Sequence, residues 1–316
     1  NWKTDLSKMD PLTREETETL EMLYRHQYEF AVGHGVSIHA TIEQKGAENA
    51  TMVETEFVPR AEIPQQTPPT FVDNPDIQGL VLDMKELAEM AKADLVASLR
   101  ILENAYSKWI DRENTKISDS AEKLAGHQAA AKYAVQRCRR TCDRIREGIS
   151  LIESDPIAEE AFRFANLAMW HQRVHTTFTR KVRKKETKSE AGTAVFDIPQ
   201  NRSWRLFQLA FILLNLPSVT NLQHPDRSHE TDAVADLLWF ATGGGKTEAY
   251  LGLTAYTMAI RRLQGDIGGF QGDHGVAVLM RYTLRLLTLQ QFHRAASLLC
   301  ACEVIRRSNT AKWGVT

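Results

Sequence analysis

The twelve residues WFATGGGKTEAY, positions 239–250, constrain the fold of this chain more than any other part of its sequence. Three glycines followed by lysine and threonine are typical of a phosphate-binding loop (P-loop), because glycines let backbone N–H groups approach phosphate oxygens. Such a loop follows a strand and begins a helix. The apolar run ADLLWF precedes it, and EAYLGLTAYTMAIRRL follows it with helical periodicity. The sequence therefore predicts an α/β nucleotide-binding fold.

The loop residues have separate expected roles. Lys246 is expected to contact the β- and γ-phosphates, and the Thr247 hydroxyl is expected to bind Mg²⁺. We therefore predict ATP and Mg²⁺ as cofactors, with Lys246 and Thr247 as catalytic residues and Thr247 as the metal ligand. The predicted phosphate contacts are Thr242, Gly243, Gly244, Gly245, Lys246 and Thr247.

Phe240 narrows the class of P-loop. The full pattern has a glycine where this chain has Phe240, and kinase-like and GTPase-like loops usually keep that glycine. FATGGGKT resembles the loop of superfamily 2 helicases, in which the first glycine is replaced, and it is especially similar to the TGGGK core of RecQ-like enzymes. This resemblance implies an ATP-dependent motor on DNA.

The segment WRLFQLAF before the loop resembles the element that precedes the P-loop in these helicases. By that resemblance, Gln208 reads the adenine edge, for which an amide supplies one donor and one acceptor. Trp204 or Phe207 would pack on the adenine ring.

The segment VAVLMRYTLRLLTLQQF after the loop resembles helicase motif Ia, a strand followed by P-T-x-x-L-x-x-Q that grips single-strand phosphates. Thr283 matches that pattern, Tyr282 replaces its proline, and Gln290 lies one residue late. Arg281 and Arg285 add positive charge for a phosphate track. These residues, Arg281, Thr283, Arg285 and Gln290, are the predicted DNA contacts.

The net charge of −1 requires any further DNA contact to come from a local basic patch. The best such patch is RKVRKKETKSEAG (180–192), a predicted mobile loop in which Lys184 and Lys185 would follow a DNA backbone. The four cysteines lack zinc-site spacing, and no signal peptide pattern is present, so we expect reduced thiols and a cytoplasmic location. The longest apolar run, 206–216, is too short to span a bilayer, so no membrane partner is expected.

Patterning divides the chain into four predicted regions. Residues 1–75 form a mixed α/β region, with strands in 30–43 and 51–59 and a proline-rich linker. Residues 76–180 form an antiparallel helical bundle, and 181–202 form the basic loop. Residues 203–316 alternate helix and strand, with a helix that ends at Pro217, as in the first part of a RecA-like lobe with a parallel sheet.

Long strings of the sequence resemble the DrmA family, the helicase subunits of DISARM phage-defence systems. They include SWRLFQLAFILLNLPS, DLLWFATGGGKTEAYLGL, RYTLRLLTLQQFHRA and LYRHQYEFAVGHGVS, and together they span most of the chain. One departure is Ala241, where related sequences often carry proline. The resemblance implies a bacterial, ATP-dependent DNA translocase that acts with a DrmB partner subunit against phage DNA.

One helicase element is missing from the printed sequence. No apolar strand that ends in Asp-Glu follows residue 247, and LVLDMKE, with Asp83 and Glu86, lies upstream in a helical pattern and is interpreted as structural. We therefore expect an N-terminal portion of a superfamily 2 helicase or translocase, without motif II and the second lobe, that does not hydrolyse ATP by itself. Two alternatives stay open: a P-loop NTPase that remodels protein partners, and a non-catalytic docking module of a larger complex. The polarity of translocation, the preferred DNA end or methylation and the oligomeric state do not follow from the sequence.

Overall fold

The computed structural model describes residues 9–26, 28–44, 49–56, 69–119, 124, 126–239, 244–281 and 285–314. This part of the chain is mostly helical and contains two small two-stranded sheets. It divides into two compact units, residues 1–66 with 108–140 and residues 67–107 with 141–316. Two long helices, Lys92–Asp119 and Gln128–Ser154, contribute residues to both units.

The helices of the described part are, in chain order, α1 (Pro11–Tyr24), α2 (Met84–Glu89), α3 (Lys92–Asp119), α4 (Gln128–Ser154), α5 (Pro156–Arg183), α6 (Pro199–Arg202), α7 (Leu206–Thr220), α8 (Pro225–Ser228), α9 (Lys246–Gln264), α10 (Arg285–Ser308) and α11 (Thr310–Trp313). The strands are β1 (Ser37–Thr41), β2 (Met52–Glu56), β3 (Asp266–Ile267) and β4 (Phe270–Gln271). Both strand pairs, β1–β2 and β3–β4, are antiparallel hairpins.

The first unit holds α1, the β1–β2 hairpin and a small apolar core. Asp10 caps α1, since its carboxylate accepts hydrogen bonds from the backbone N–H groups of Leu12 and Thr13. The two strands predicted in 30–43 and 51–59 are confirmed as β1 and β2, while residues 57–59 lie outside the described part. The core of this unit contains Met22, Ile117, Leu124, Ala130 and Ala131.

The second unit is organised around α5. Pro156 occupies its first turn, and the Asp155 carboxylate caps it by accepting from the N–H groups of Ile157 and Ala158. Helices α9, α10 and α2 pack on α5, and α7 packs on α9. Its core joins buried side chains from 77–180 and from 204–313, among them Leu99, Phe162, Leu213, Tyr256 and Leu298. Part of the predicted bundle therefore shares one apolar core with the predicted lobe, while residues 108–140 of the bundle belong to the first unit.

Helix α7 corrects the prediction that Pro217 ends its helix, because it continues to Thr220. Pro217 has no N–H group for the carbonyl of Leu213, one turn earlier. A Cβ placed on Gly148 of α4 would lie 2.0 Å from that same carbonyl oxygen, so only a glycine permits this approach. The two helices thus pack closely where the proline removes a helical hydrogen bond.

The parallel sheet expected in 203–316 is not shown by the described residues. Residues 235–239 and 275–280, predicted as its strands, are not in strand conformation, and residue 240 lies outside the described part. Leu237, Trp239, Val276 and Leu279 are between 79% and 86% exposed. An apolar run becomes a strand only when another strand accepts its backbone hydrogen bonds, and none of the described residues does so here. The glycine-rich segment between α9 and the second run forms the short β3–β4 hairpin.

Asp83 has the structural role that the sequence suggested. Its carboxylate accepts from the N–H group of Lys85 at the start of α2, and it also pairs with the buried Arg202 on α6. Within the described residues, no helix combines the length and apolar character needed to cross a membrane.

Candidate functional site

The helix predicted after the glycine loop is confirmed as α9, which begins at Lys246. Gly245 precedes it with φ of +89°, a left-handed conformation that side chains rarely adopt. A Cβ at this position would also lie 2.8 Å from Nε2 of Gln208. The backbone conformation therefore favours glycine at residue 245, and a larger residue would also press on the Gln208 amide that holds the loop.

Helix α7 holds the last two loop carbonyls. Arg205 donates from Nη1 to the carbonyl of Gly244 at 2.7 Å, and Gln208 donates from Nε2 to the carbonyl of Gly245 at 2.7 Å. The Oε1 atom of Gln208 accepts from the backbone N–H of Arg205, also at 2.7 Å. The start of α7 therefore fixes the backbone of the loop where it enters α9.

The three predicted adenine contacts differ in their surroundings. Gln208 is 4% exposed, and both ends of its amide are hydrogen-bonded within the protein. Trp204 is also buried: its Nε1 donates to Oδ1 of Asn166, and its ring packs so closely on α9 that a Cβ at Gly252 would clash with it. Phe207 is half-buried. The structure thus joins Gln208 directly to the loop, while adenine recognition by these residues stays a prediction.

Glu248, in the first turn of α9, forms a buried ion cluster that sequence reasoning missed. Its side chain is 8% exposed, and its Oε1 accepts from Nη1 of Arg173 on α5 at 3.1 Å and from Nη2 of Arg294 on α10. Burial lowers the pKa of Arg173, and the facing Glu248 carboxylate opposes that shift. Arg173 also donates from Nε to the carbonyl of Asn201. The sequence signal that could have revealed this cluster is Glu248, the single charged residue of the segment EAYLGLTAY within α9.

The charges at this end of α9 suit a polyanion. Four basic residues, Arg173, Arg205, Lys246 and Arg294, and one acid, Glu248, lie at or contact the loop and the first turn. The helix N-terminus adds partial positive charge. The half-buried Thr247 supplies a hydroxyl oxygen in the same turn, the ligand type that Mg²⁺ accepts beside a nucleotide. The residues present therefore fit a triphosphate with its metal.

Part of the predicted site lies outside the described residues. Thr242 and Gly243 of the loop and Thr283 of motif Ia are among them, as are Phe240 and Ala241. Arg285 begins α10. Arg281, which precedes the helix, and Gln290, which lies within it, are both exposed.

The basic stretch at 180–192 is partly helical, which corrects its prediction as a mobile loop throughout. Helix α5 continues to Arg183, and a 3-10 turn follows at Ser189–Ala191. Lys184 and Lys185 follow the end of α5 and are exposed, and Lys185 has φ of +58°. The helix C-terminus, which carries partial negative charge, favours this cluster of cations.

Metal-binding groups of three or more His, Cys, Asp or Glu side chains do not occur among the described residues. The four cysteines are free thiols, and burial raises the pKa of Cys302 to about 12. No zinc-type centre therefore competes with the glycine loop as the chemical site of this part of the chain.

No protein-family model matches this chain. The chain is 33% identical over 304 residues to DISARM protein DrmA of Bacillus paralicheniformis. The predicted resemblance to DrmA is confirmed. The matched region covers 94% of this chain but 25% of that protein, so the chain spans about a quarter of the length of its DrmA relative.

Proposed function

We propose that this chain is part of an ATP-dependent superfamily 2 DNA helicase or translocase that acts in DISARM antiviral defence. The observation that carries the proposal is the glycine loop at the start of α9, held by Arg205 and Gln208 and surrounded by basic side chains. The similarity to DrmA supports the defence context, and the replaced first glycine at Phe240 supports the helicase class.

In this proposal the loop and α9 bind ATP. Backbone N–H groups of the loop would hold the phosphates, Lys246 would contact the β- and γ-phosphates, and the Thr247 hydroxyl would bind the metal. The chemistry that a bound Mg²⁺ would supply is neutralisation of phosphate charge during hydrolysis. Arg205 and Gln208 keep the loop backbone in place for this role, since they hold its last two carbonyls.

DNA is the proposed track of the motor. The predicted contacts near the start of α10 are Arg281, Thr283, Arg285 and Gln290, and Lys184 and Lys185 after α5 add a second basic segment. Contacts of this kind bind phosphates without reading sequence and weaken as salt rises. By its resemblance to the DrmA family, the protein would act in the bacterial cytoplasm with a DrmB-type subunit.

The test is ATP hydrolysis by the full-length protein with and without single-stranded DNA. We expect DNA to stimulate hydrolysis, and Lys246→Ala to reduce it by about 100-fold or more, as for the loss of a charge-stabilising group in other enzymes. Lys116→Ala, which removes an exposed lysine paired with Glu113 on α3, is the matched control.

Each contrary outcome identifies an alternative. Hydrolysis that requires Lys246 but that no DNA stimulates would contradict the helicase proposal and favour an NTPase that remodels proteins. Absence of nucleotide binding in the wild-type protein would favour a docking module.

A further inference from the structure

Glu248 connects the candidate nucleotide loop to two other helices. Its one carboxylate oxygen, Oε1, takes hydrogen bonds from Arg173 of α5 and Arg294 of α10, while its backbone belongs to the first turn of α9. Helix α10 begins at Arg285, one of the predicted DNA-contact residues, and contains another, Gln290. The buried side chain of Glu248 thus links α9, which follows the proposed nucleotide loop, to α10, which carries predicted DNA contacts.

The second carboxylate oxygen of Glu248 is not used in this way. Oε2 is buried and has no hydrogen-bond partner among the described residues. It faces the loop, because a Cβ placed on Gly245 would lie 3.4 Å from it. A buried carboxylate oxygen without a partner costs free energy, typically about 1–3 kcal/mol or more for a charged group.

A phosphate bound at the start of α9 would compete with Glu248. It would place negative charge beside Oε2, and it would attract the same guanidinium groups that Oε1 now holds. Repulsion of Glu248 and attraction of Arg294 both favour a different arrangement of the cluster when the loop is occupied. Because Arg294 lies on α10, that rearrangement would move or reorient the helix that begins at Arg285.

We propose that Glu248 is a positioning residue that couples phosphate occupancy of the loop to the DNA affinity of the α10 region. This inference rests on the proposed function. Glu248 touches neither ligand in this mechanism; it acts through Arg294. Two sites coupled in this way change each other's affinity by the same factor, and factors of about 5 to 150 are typical.

The experiment measures that factor in the full-length protein. The dissociation constant of a fluorescein-labelled single-stranded oligonucleotide is determined without nucleotide and with saturating Mg²⁺ and AMP-PNP, a non-hydrolysable ATP analogue. We expect the two constants of the wild-type protein to differ by about 5-fold or more. Glu248→Gln, which keeps the shape but removes the charge, is expected to bring their ratio close to one. It should also bind AMP-PNP as tightly as the wild type or tighter, because a negative charge beside the phosphates is lost.

A second variant covers the case in which Glu248→Gln does not fold. Arg294→Gln leaves the Arg173–Glu248 pair intact and should lose the coupling equally. The double variant should lose no more than either single variant, since both act through one interaction. Glu303→Gln is the control. It removes a different carboxylate of α10, one that pairs with Arg306 and Arg307, and it should keep the wild-type ratio of the two dissociation constants.

The outcomes separate this inference from the function on which it rests. Wild-type coupling that persists in Glu248→Gln or Arg294→Gln would overturn the inference and leave the proposed function intact. A wild-type protein that binds both ligands without coupling would do the same. A wild-type protein that binds no AMP-PNP, or no DNA, would overturn the proposed function and the inference together.

Discussion

Two buried charge clusters in the second unit differ in how completely they are paired. In the first, Nε of Arg202 donates to both carboxylate oxygens of Asp83 at 2.9 and 3.0 Å, and Asp83 also caps α2. Arg202 further donates to Asp197, whose Oδ1 accepts from Nε1 of Trp170 as well. In the second, Glu248 uses one oxygen for two arginines and leaves the other without a partner among the described residues.

This difference separates a structural cluster from a functional candidate. Both oxygens of Asp83 accept hydrogen bonds from the protein itself. The cluster around Glu248 lies beside the glycine loop and keeps an oxygen and two cations that a phosphate can influence. A buried charge is a functional candidate when a ligand can approach it, and the position of Glu248 beside the glycine loop meets this condition better than that of Asp83.

The largest expected effect on stability comes from a substitution that breaks the first cluster. Arg202→Ala leaves the carboxylate of Asp83 buried without its partner, so we expect the free energy of unfolding to fall by about 3–5 kcal/mol. Arg294→Ala should cost clearly less, because Arg173 still pairs with Glu248 and the arginine is more exposed. Urea denaturation followed by circular dichroism measures both.

Equal losses for the two arginine variants would show that both clusters are structural fasteners. The exposed Arg307 of α10 supplies the control, since Arg307→Ala is expected to change the free energy of unfolding by less than about 1 kcal/mol.

A smaller effect is expected at Gly245. Alanine there would keep the left-handed backbone, at a cost of roughly 1–2 kcal/mol, and would also press on Nε2 of Gln208. We expect a modest loss of stability together with a larger loss of nucleotide affinity, because the loop carbonyls would leave α7. Thermal unfolding and binding of a fluorescent ATP analogue test the two parts.

The matched control for Gly245→Ala is Gly265→Ala. Gly265 also has positive φ, +66°, but has open space where a Cβ would lie. Because its ψ of −124° lies outside the left-handed helical region, Gly265→Ala should lose at least as much stability as Gly245→Ala and should keep nucleotide affinity. If both variants bound nucleotide like the wild type, the contact between α7 and the loop would have no role in binding.

Local patterns predicted the helix after the glycine loop better than they predicted the sheet. The glycine loop, the helix after it and the capping of α5 at Asp155-Pro156 depend on neighbouring residues, which a sequence displays directly. Arg173 and Glu248 pair across 75 residues, and no periodicity indicates such a contact. The runs 235–239 and 275–280 were predicted as strands from their apolar character alone. A strand also depends on its partner, which composition does not supply.

Pro217 shows the same limit in a helix. A proline usually ends a helix because it removes a hydrogen bond and crowds the preceding turn. In α7 the cost is offset by packing on α9 and by the close approach of Gly148 in α4. That compensation comes from a glycine 69 positions earlier in the printed sequence, so the local pattern around Pro217 could not reveal it.

The smallest expected effect is a loss of stability at low pH, and it arises from the first cluster. Burial acts to raise the pKa of Asp197, but hydrogen bonds from Arg202 and Trp170 outweigh it and lower that pKa below its usual value. A carboxyl group whose pKa is lower in the folded protein stabilises the fold above its unfolded pKa, near 3.8, and loses that contribution as the pH falls through the folded value. We therefore expect wild-type stability to decrease between pH 5 and pH 3 more steeply than that of Asp197→Asn, which cannot titrate. Unfolding curves across this range provide the measurement, with Asp232→Asn, at an exposed carboxylate, as the control. If the Asp197→Asn and wild-type curves ran parallel, the hydrogen bonds of Asp197 would make no pH-dependent contribution, and the first cluster would depend on the pairing of Asp83 with Arg202.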